Sequence, residues 1–301
     1  MSKNVLYLIG IVVLLAIAAF LVMQKPGERS LAQSAGEPLV TYDSAAVDKM
    51  VVHTKDGVVT LVREGGKWML HAPVRYQADE QAVTSAVGKG REMKITALVS
   101  TNPAKQHIYA VDSTSTLVQI YSNENLLAAF RVGKPSSSWT ETYVRREGSD
   151  EVYSVEGVLN TTFGRSANDW RDKAIFKTDQ KTIKEVTFRF GDTTFTLTEK
   201  DSARWFIGND STVFYTVSSF LSSLANFQAD EFVDSTLTSL PKLSAVVETQ
   251  GTQLRFHRRA DGKYYVQRST SPQWFMVQEW RAQQVLKRKK DFLPAPPPKN
   301  V

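Results

Sequence analysis

Cysteine is absent from this sequence of 301 residues, and histidine is rare, with only four residues. The absence of cysteine excludes disulfides, thiolate zinc sites, thiol nucleophiles, covalent haem attachment and acylation of a lipoprotein-type cysteine. The sequence also lacks a G-x-S-x-G elbow, a Walker loop and a G-x-G-x-x-G fingerprint. It therefore points away from an enzyme and predicts no catalytic residue, no cofactor and no metal ligand.

The few residues that could carry chemistry form no recognisable site. His53 and His71 could approach each other across the first predicted hairpin, but two nitrogen ligands without thiolates make a poor zinc site. Residues 136–138 are serines in a polar loop, and the local pattern does not indicate a strained nucleophile. Asp79 and Glu80 fall in the first turn of a predicted helix, where carboxylates interact favourably with the helix dipole.

The excess of basic residues is confined to the two ends of the chain. Of the 37 lysines and arginines, one lies in residues 1–24 and five lie in residues 287–301. Only one of the 31 acidic residues, Asp291, lies in these stretches, so residues 25–286 hold 31 bases and 30 acids. Because nucleic-acid binding requires clustered Lys and Arg, this nearly neutral body is not expected to bind DNA or RNA.

Residues 5–23 form a long hydrophobic run of 19 residues without a charge. As a helix this run measures about 28 Å, which matches the hydrocarbon thickness of a bilayer. We therefore expect residues 1–24 to be a single transmembrane anchor that contacts the lipid bilayer through residues 5–23. A cleaved signal peptide is the alternative, although the nearest small-residue cleavage site, at residues 32–34, lies well beyond the run.

The charges on either side of this run do not decide its orientation. Lys3 and the amino terminus precede the run, and Lys25 and Arg29 follow it. Because a long domain behind a very short leading tail is commonly exported, the body is predicted to be extracytoplasmic. Residues 25–45 are polar and carry two prolines and two glycines, which predicts a juxtamembrane linker.

The body contains the same local pattern twice. In both places two strands with alternating apolar residues flank a short turn, and a tryptophan and a helix follow. The first copy contains Trp68 and the second contains Trp205. We therefore expect an α+β fold in which a unit of antiparallel β-hairpins packed with a helix is duplicated in tandem, at residues 46–178 and 182–293.

The second halves of the two units correspond more loosely. Two matches share an offset of 122 residues, namely residues 143–145 with residues 265–267 and Tyr153 with Phe275. Residues 117–122 are matched with residues 252–258. On that matching, the strand-turn segment at residues 126–138 is extra in the first unit and has no counterpart in the second.

Trp68 and Trp205 have two interpretations. A large aromatic residue at the junction of a hairpin and its helix buries much area, which favours a role as a core anchor. The alternative is a stacking platform for a ligand. Because the two tryptophans occupy equivalent places in both units, the core interpretation is favoured.

Two segments are candidate contact sites for a partner or for lipid. Trp170 and Arg171 lie in an amphipathic turn, with the indole inward and the arginine outside, or in a patch that faces a partner. The second segment consists of four consecutive basic residues, Lys287, Arg288, Lys289 and Lys290. These four close a predicted last helix, where bases interact favourably with the helix dipole, or they contact anionic lipid or an acidic partner.

The end of the sequence, residues 294–301, is rich in proline. Four of its first five residues are prolines, which predicts a short polyproline II segment. This tail is either a disordered end or a docking peptide.

Several short motifs carry a resemblance to a known group of proteins. They are Gly66-Lys67-Trp68 with Pro73, Ala78-Asp79, and residues 108–112, 130–133, 142–145, 152–155 and 169–173. On these motifs, residues 65–176 resemble an uncharacterised domain-of-unknown-function family of bacterial membrane-anchored proteins, and the second unit resembles it more weakly. Genes of that family often lie beside genes of gliding-motility-type ABC transporters and their auxiliary subunit. Ala110 stands where the family tends to have glycine.

The resemblance implies a context, not an activity, and it assigns no catalytic residue. It implies a single-pass protein of the bacterial inner membrane with a body that is periplasmic or otherwise extracytoplasmic. The expected function is that of a non-catalytic accessory or scaffolding component of an ABC-type export or gliding-motility-like complex. The alternative is an extracytoplasmic module that binds a glycan or a lipid in the cleft between the two units.

Overall fold

The computed structural model describes Leu14, residues 35–200 and residues 204–294. The predicted anchor lies outside these ranges apart from Leu14, as does the tail beyond residue 294. None of the helices within the described ranges has both the length and the apolar character needed to cross a bilayer. The chain divides into a first unit, Met1–Asp172, and a second unit, Lys173–Val301.

The first unit is built around one antiparallel sheet of nine strands. Its elements are β1 (Lys49–Thr54), β2 (Gly57–Glu64), β3 (Lys67–Ala72), β4 (Tyr76–Gln77), α1 (Glu80–Glu92), β5 (Ile95–Ser100), β6 (Thr116–Ser122), β7 (Asn125–Pro135), β8 (Glu141–Arg146), β9 (Val152–Glu156) and α2 (Asn160–Phe163). Short 3-10 helices cover Ser44–Ala46, Pro103–Tyr109 and Ala167–Trp170. The strand order is β4-β3-β2-β1-β6-β7-β8-β9-β5.

The second unit has a nine-stranded antiparallel sheet of its own and a separate pair of strands. Its elements are β10 (Ala174–Lys177), β11 (Glu185–Phe190), β12 (Thr193–Lys200), β13 (Arg204–Ile207), β14 (Asp210–Ser211), α3 (Phe214–Ala225), β15 (Asn226–Gln228), β16 (Glu231–Val233), β17 (Leu243–Thr249), β18 (Thr252–Arg258), β19 (Tyr264–Arg268), β20 (Trp274–Val277), α4 (Glu279–Val285) and α5 (Lys289–Phe292). A 3-10 helix covers Gln180–Thr182. The sheet order is β14-β13-β12-β11-β17-β18-β19-β20-β16, and β10 pairs with β15.

The predicted combination of antiparallel sheets with few helices is confirmed, and local sequence explains it. Gly65 and Gly66 form the β2–β3 turn with φ of 55° and 83°, a left-handed backbone that glycine adopts without steric cost. Helix α1 begins directly after Asp79, whose carboxylate accepts a hydrogen bond from the Ala82 N–H at 3.0 Å. The buried residues of α1 include Val83 and Val87, which lie one helical turn apart on the same face.

The prediction of a linker over residues 25–45 is wrong for its last part. Leu39 is 1% exposed, and its N–H donates to the Met93 carbonyl at 2.8 Å. The Tyr42 hydroxyl donates to the Val87 carbonyl at 2.7 Å, and burial raises the pKa of this hydroxyl above its ordinary value. This segment therefore packs on α1 and the chain that follows it, although its polar composition resembles a linker.

The segment at residues 36–39 has a counterpart at the start of the second unit. In the first unit, the Ile95 N–H donates to the Glu37 carbonyl at 2.8 Å, directly after the helix and its following turn. In the second unit, the Ala229 N–H donates to the Lys173 carbonyl, also at 2.8 Å. Each unit therefore opens with an extended segment that pairs with the chain leaving its helix.

The two sheets have the same strand order, which corrects one of the predicted strand matches. β6 lies beside β1 and β17 lies beside β11, so β17 is the counterpart of β6, and β18 is the counterpart of β7. The predicted matching of residues 117–122 with 252–258 is therefore one strand out of step, and residues 126–138 are not extra. β6 buries Val118 and Ile120, and β18 buries Leu254 and Phe256, so every second residue is buried in both strands and the alternation alone does not distinguish them.

The matches with an offset of 122 residues agree with the strand pairing. Val144 on β8 pairs with Tyr153 on β9, and Val266 on β19 pairs with Phe275 on β20. The same offset continues to the end of each unit. The Asp79 N–H donates to the Trp170 carbonyl, and the Val213 N–H donates to the Phe292 carbonyl, each at 2.8 Å.

Asp79 and Val213 both immediately precede the main helix of their unit. Phe292 is therefore the counterpart of Trp170, and both side chains are 0% exposed. Each unit closes with an aromatic residue that is buried in its core and whose carbonyl is bound at the start of the helix.

Candidate functional site

The motif residues of the first unit hold the segment at residues 110–115 against β7 and β8. Arg131 Nη1 donates to the carbonyls of Asp112 and Ser113, both at 3.1 Å. Arg145 Nε donates to the Val111 carbonyl at 2.9 Å. Both arginines are 8% exposed. We call Arg131 and Arg145 the arginine clamp, and its role is to position the backbone.

Glu147 balances the charge of the arginine clamp. Its carboxylate accepts hydrogen bonds from Arg131 Nε at 2.6 Å and Nη2 at 3.0 Å, and it lies 3.7 Å from Arg145 Nη2. The hydrogen bond from Arg131 lowers the pKa of Glu147 below its ordinary value, against the opposing effect of burial. The carboxylate is therefore kept ionised, which suits a structural ion pair better than a general acid.

Two further motif positions are explained by backbone geometry. A Cβ atom at Gly133 would lie 2.3 Å from the Tyr109 carbonyl oxygen, so no side chain fits there without a shift of the backbone. Ala110 has a φ of 53°, in the left-handed region that favours glycine. The preference for glycine at this position in the resembling family has a physical reason, and this chain carries the strained alanine instead.

Trp170 and Arg171 do not form a partner-facing patch. Trp170 is 0% exposed and Arg171 is 1% exposed. The Arg171 guanidinium lies 4.5 Å from the centre of the Tyr76 ring, and its Nη1 donates to Asn168 Oδ1 at 3.2 Å. The inward-facing indole was correctly predicted. The exposed position of the arginine was wrong, since its guanidinium is buried against Tyr76 and Asn168.

The four basic residues 287–290 do not close a helix. Helix α4 ends at Val285, and the Arg288 N–H donates to Asp291 Oδ2 at 2.8 Å at the start of α5. The Arg288 guanidinium lies 3.8 Å from the centre of the Phe190 ring, and Lys289 Nζ lies 2.9 Å from Asp210 Oδ2. Arg288 and Lys289 thus make contacts within the second unit, but both are exposed, as is Lys290, and Lys287 is partly exposed.

The histidines and the serine loop show no shared site. His53 Nε2 lies 3.1 Å from Gln119 Oε1, whereas His71 Nε2 lies 2.8 Å from Glu64 Oε1, so each has its own partner. The hydroxyls of Ser136 and Ser138 lie 2.8 Å apart in a short hydroxyl chain. Within the described ranges, no group of three or more His, Asp or Glu side chains could hold a metal ion.

The second unit contains an aromatic cavity beside helix α3, of about 190 Å³. We call it the Trp205 groove. Its apolar wall is formed by Ile183, Trp205, Phe214, Val217 and Leu221, and its polar rim is formed by Gln180, Lys181, Glu199 and Ser218. A surface of this composition suits an apolar or ring-bearing ligand with few charges.

The mouth of the Trp205 groove carries exposed aromatic side chains. Phe214 is 65% exposed and Tyr215 is 82% exposed, and their rings pack edge to face at 5.5 Å. Trp205 is 9% exposed and Trp68 is 4% exposed, so both are buried as predicted for core anchors. Phe214 and not Trp205 therefore offers the accessible ring.

The corresponding place in the first unit is polar. Asp79 and Val213 are equivalent, so Glu80 stands where Phe214 stands in the second unit. Glu80 Oε1 accepts a hydrogen bond from the backbone N–H of Trp68 at 2.5 Å, and Asp79 caps the helix. Val213 makes no side-chain cap. The first unit thus uses this corner for its own stability, whereas the second unit presents aromatic rings there.

The sequence contained a signal for this surface that periodicity alone did not bring out. The buried residues of α3 include Val217, Phe220, Leu221 and Leu224, spaced as one helical stripe. Two adjacent aromatic residues ahead of that stripe cannot both lie on it, because neighbours on a helix are about 100° apart. At least one of residues 214 and 215 therefore had to be exposed.

Comparison with known proteins identifies a family for this chain but no activity. Neither the curated proteins nor the solved structures include a match to it. Residues 68–246 match the family described as a domain of unknown function, DUF4340. The matched range covers more than half of the chain, begins at Trp68 and includes Trp205 and Phe214. The chain therefore belongs to the DUF4340 family.

Proposed function

We propose that this chain is a non-catalytic, single-pass protein of the bacterial inner membrane. In this proposal, residues 5–23 anchor the chain in the bilayer and the two units lie on the periplasmic or extracytoplasmic side. The chain acts as an accessory or scaffolding component of an ABC-type export or gliding-motility-like complex. The hydrophobic run at residues 5–23 and the resemblance described above support the anchor and the partner class.

The observation that carries the proposal is the structural role of the motif residues. Arg131 and Arg145 bind backbone carbonyls, Gly133 allows a close backbone approach, and Trp170 fills the core. These contacts are structural, and they support a body whose motifs maintain its fold. A body of this kind serves by presenting surfaces to other molecules, as a scaffold does.

Affinity capture of the full chain from a mild detergent tests this function. A matched control fuses residues 1–34 to an unrelated soluble domain, so that proteins retained through the anchor alone are identified. We expect transporter-type membrane proteins to be captured with the full chain and not with the control. Recovery of the full chain as a monomer without any membrane or envelope partner would contradict the proposal.

A further inference from the structure

Trp139 is an exposed aromatic residue in the turn between β7 and β8 of the first unit. Its side chain is 74% exposed. Its backbone φ is 60°, in the left-handed region that a bulky side chain rarely adopts. Neither burial in the core nor backbone preference accounts for a tryptophan at this position, and strained residues of this kind cluster at functional surfaces.

Hydrogen bonds close the turn that presents Trp139. The Trp139 N–H donates to the Ser136 carbonyl at 3.1 Å, and the Ser136 N–H donates to the Glu141 carbonyl at 2.9 Å. The hydroxyls of Ser136, Ser138 and Thr140 form a chain with oxygen–oxygen distances of 2.8 and 2.9 Å. The ring is therefore carried on a preorganised turn, which reduces the entropy lost when another surface covers it.

A second exposed apolar side chain lies beside this turn. The Gly157 N–H donates to the Thr140 carbonyl at 2.7 Å, so the chain after β9 runs next to the turn. The residue after Gly157 is Val158, which is 43% exposed, whereas Leu159 is fully buried. Trp139 and Val158 thus flank one hydrogen-bonded pair, and we call these two residues the Trp139 tip.

The described chain enters the first unit at the same end of the sheet. The Gly36 N–H donates to the Ile95 carbonyl at 2.8 Å, at the first residue of β5. Ile95 pairs with Val155 on β9, and Val155 pairs with Thr142, three residues after Trp139. Three strand spacings of about 4.8 Å therefore separate Gly36 from Thr142, which is about 14 Å.

This end of the sheet is also close in sequence to the predicted anchor. Residues 24–34 number eleven, and a chain of that length spans at most about 40 Å in any conformation. When residues 5–23 are in the bilayer, the entry point of the chain is held within that distance of it. Tethering of this kind raises the effective concentration of the bilayer surface at the Trp139 tip, so a small apolar contact is sufficient.

The strand ends around the Trp139 tip carry charges of both signs. Lys94 and Lys134 are exposed there, and so are Glu37 and Glu156. This balance gives no preference for an anionic headgroup. Tryptophan, in contrast, is enriched at the boundary between headgroups and acyl chains, because its ring is apolar and its indole N–H is polar.

We propose that Trp139 and Val158 insert into the interfacial region of the same bilayer that holds residues 5–23. The contact gives the first unit a second point of attachment and restricts its orientation relative to the bilayer. This inference rests on the proposed function, because it requires the anchor.

Quenching of a fluorophore by labelled lipid tests the inference on the full chain, in which no native cysteine competes for labelling. The test variant is Val158→Cys and the matched control is Leu126→Cys, each labelled with nitrobenzoxadiazole. Leu126 is also exposed, but it lies at the start of β7, at the opposite end of the sheet from the Trp139 tip. Both proteins are reconstituted in phosphatidylcholine vesicles with and without lipid that carries a nitroxide near the headgroup.

We expect quenching at residue 158 to be at least about twofold stronger than at residue 126, because only residue 158 lies at the depth of the headgroups. Adding Trp139→Gly should lower the quenching at residue 158 by at least about half, because the interfacial ring is lost. Glycine adopts a φ of 60° without steric cost, so the thermal midpoint of this variant should not fall.

Flotation of the vesicles on a density gradient separates this inference from the proposed function. A chain that does not float with the vesicles would contradict the anchor and, with it, both proposals. A chain that floats but is quenched equally at residues 158 and 126 would overturn the interfacial contact alone.

Two further results would assign the Trp139 tip to another role. A lower thermal midpoint for Trp139→Gly would show that Trp139 stabilises the fold. Oxidation of unlabelled Val158→Cys to a disulfide-linked dimer, without lipid quenching of the labelled protein, would show that the tip contacts a second copy of the chain.

Discussion

The two units of this protein share a strand order and differ at one corner. In the first unit, Asp79 caps the helix and Glu80 binds the Trp68 N–H, so polar contacts close the corner. In the second unit, the helix lacks a side-chain cap, and Phe214 and Tyr215 are exposed beside a cavity. The comparison teaches that one copy of a repeated fold can close a corner with polar contacts while the other leaves aromatic rings exposed at the same place.

The largest expected effect is a loss of stability on truncating Trp170 or Phe292, the equivalent aromatic residues at the end of each unit. Trp170→Ala and Phe292→Ala should each lower the free energy of unfolding by about 3–5 kcal/mol, because each removes a fully buried aromatic side chain. Urea denaturation of the full chain measures both. Trp139→Ala is the control, since this tryptophan is 74% exposed, and its effect should stay within about 0.5 kcal/mol. A small cost for Phe292→Ala would break the equivalence.

The next largest effect is a difference in stability between a substitution at Gly133 in the first unit and one at its counterpart in the second unit. Val132 pairs with Val144 and Phe256 pairs with Val266, so His257 stands where Gly133 stands. Gly133→Ala should cost about 1–3 kcal/mol, because its Cβ atom would meet the Tyr109 carbonyl. His257→Ala should cost about 1 kcal/mol, since it removes the hydrogen bond to the Pro241 carbonyl. Thermal unfolding that ranks the two changes in the reverse order would contradict this account.

Removing the cap of α1 and introducing one at α3 should change stability in opposite directions. Asp79→Ala removes the cap of α1 and should lower the free energy of unfolding by about 1 kcal/mol. Val213→Asp introduces a capping carboxylate at the equivalent position of α3 and should raise it by about 0.5–1 kcal/mol. Val213→Asn tests the cap without the added charge. A loss of stability in both Val213 variants would show that the second helix start is closed in another way.

The smallest expected effect is a pH dependence carried by the first unit. The hydrogen bond from Arg131 lowers the pKa of Glu147 in the folded state, so its stabilising effect is present above the ordinary pKa of 4.5. This effect is lost as the pH falls below 4.5 through the folded pKa. Between pH 6 and pH 3, the urea midpoint of unfolding should fall less in the Glu147→Gln variant than in the unaltered chain. The offset of 122 residues places Ser269 at this position, so Ser269→Ala should leave the pH dependence unchanged.

Much of the fold could be predicted from local sequence, because the signals were themselves local. The repeated strand-turn-strand pattern predicted hairpins, Asp79 and Glu80 predicted a helix start, and Trp68 and Trp205 predicted core positions. The matching of β6 with β17 was missed, since β6 and β18 have the same alternation of buried residues. The leading segment around Leu39 was missed because a short stretch with proline and glycine has the composition of a linker.

The candidate site was less predictable than the fold. Arg171 was expected outside and is buried against Tyr76, a contact between residues that are distant in sequence. The bases around Arg288 were expected at a helix end, but α4 stops at Val285 and a second short helix follows. Phe214 stands out only by comparison with its counterpart Glu80, which accepts a hydrogen bond in the first unit. That comparison requires the hydrogen bonds that align the two helix starts.

The most direct test of the central claim is to determine on which side of the membrane the body lies. Single-cysteine variants of the full chain can be labelled in spheroplasts with a membrane-impermeant maleimide, because no native cysteine competes. Lys55→Cys reports on the body, since the Lys55 side chain is 86% exposed, and Ser2→Cys reports on the other side of residues 5–23. We predict that Lys55→Cys is labelled in intact spheroplasts and that Ser2→Cys is labelled only after lysis. Labelling of Lys55→Cys only after lysis would place the body in the cytoplasm and contradict the envelope function.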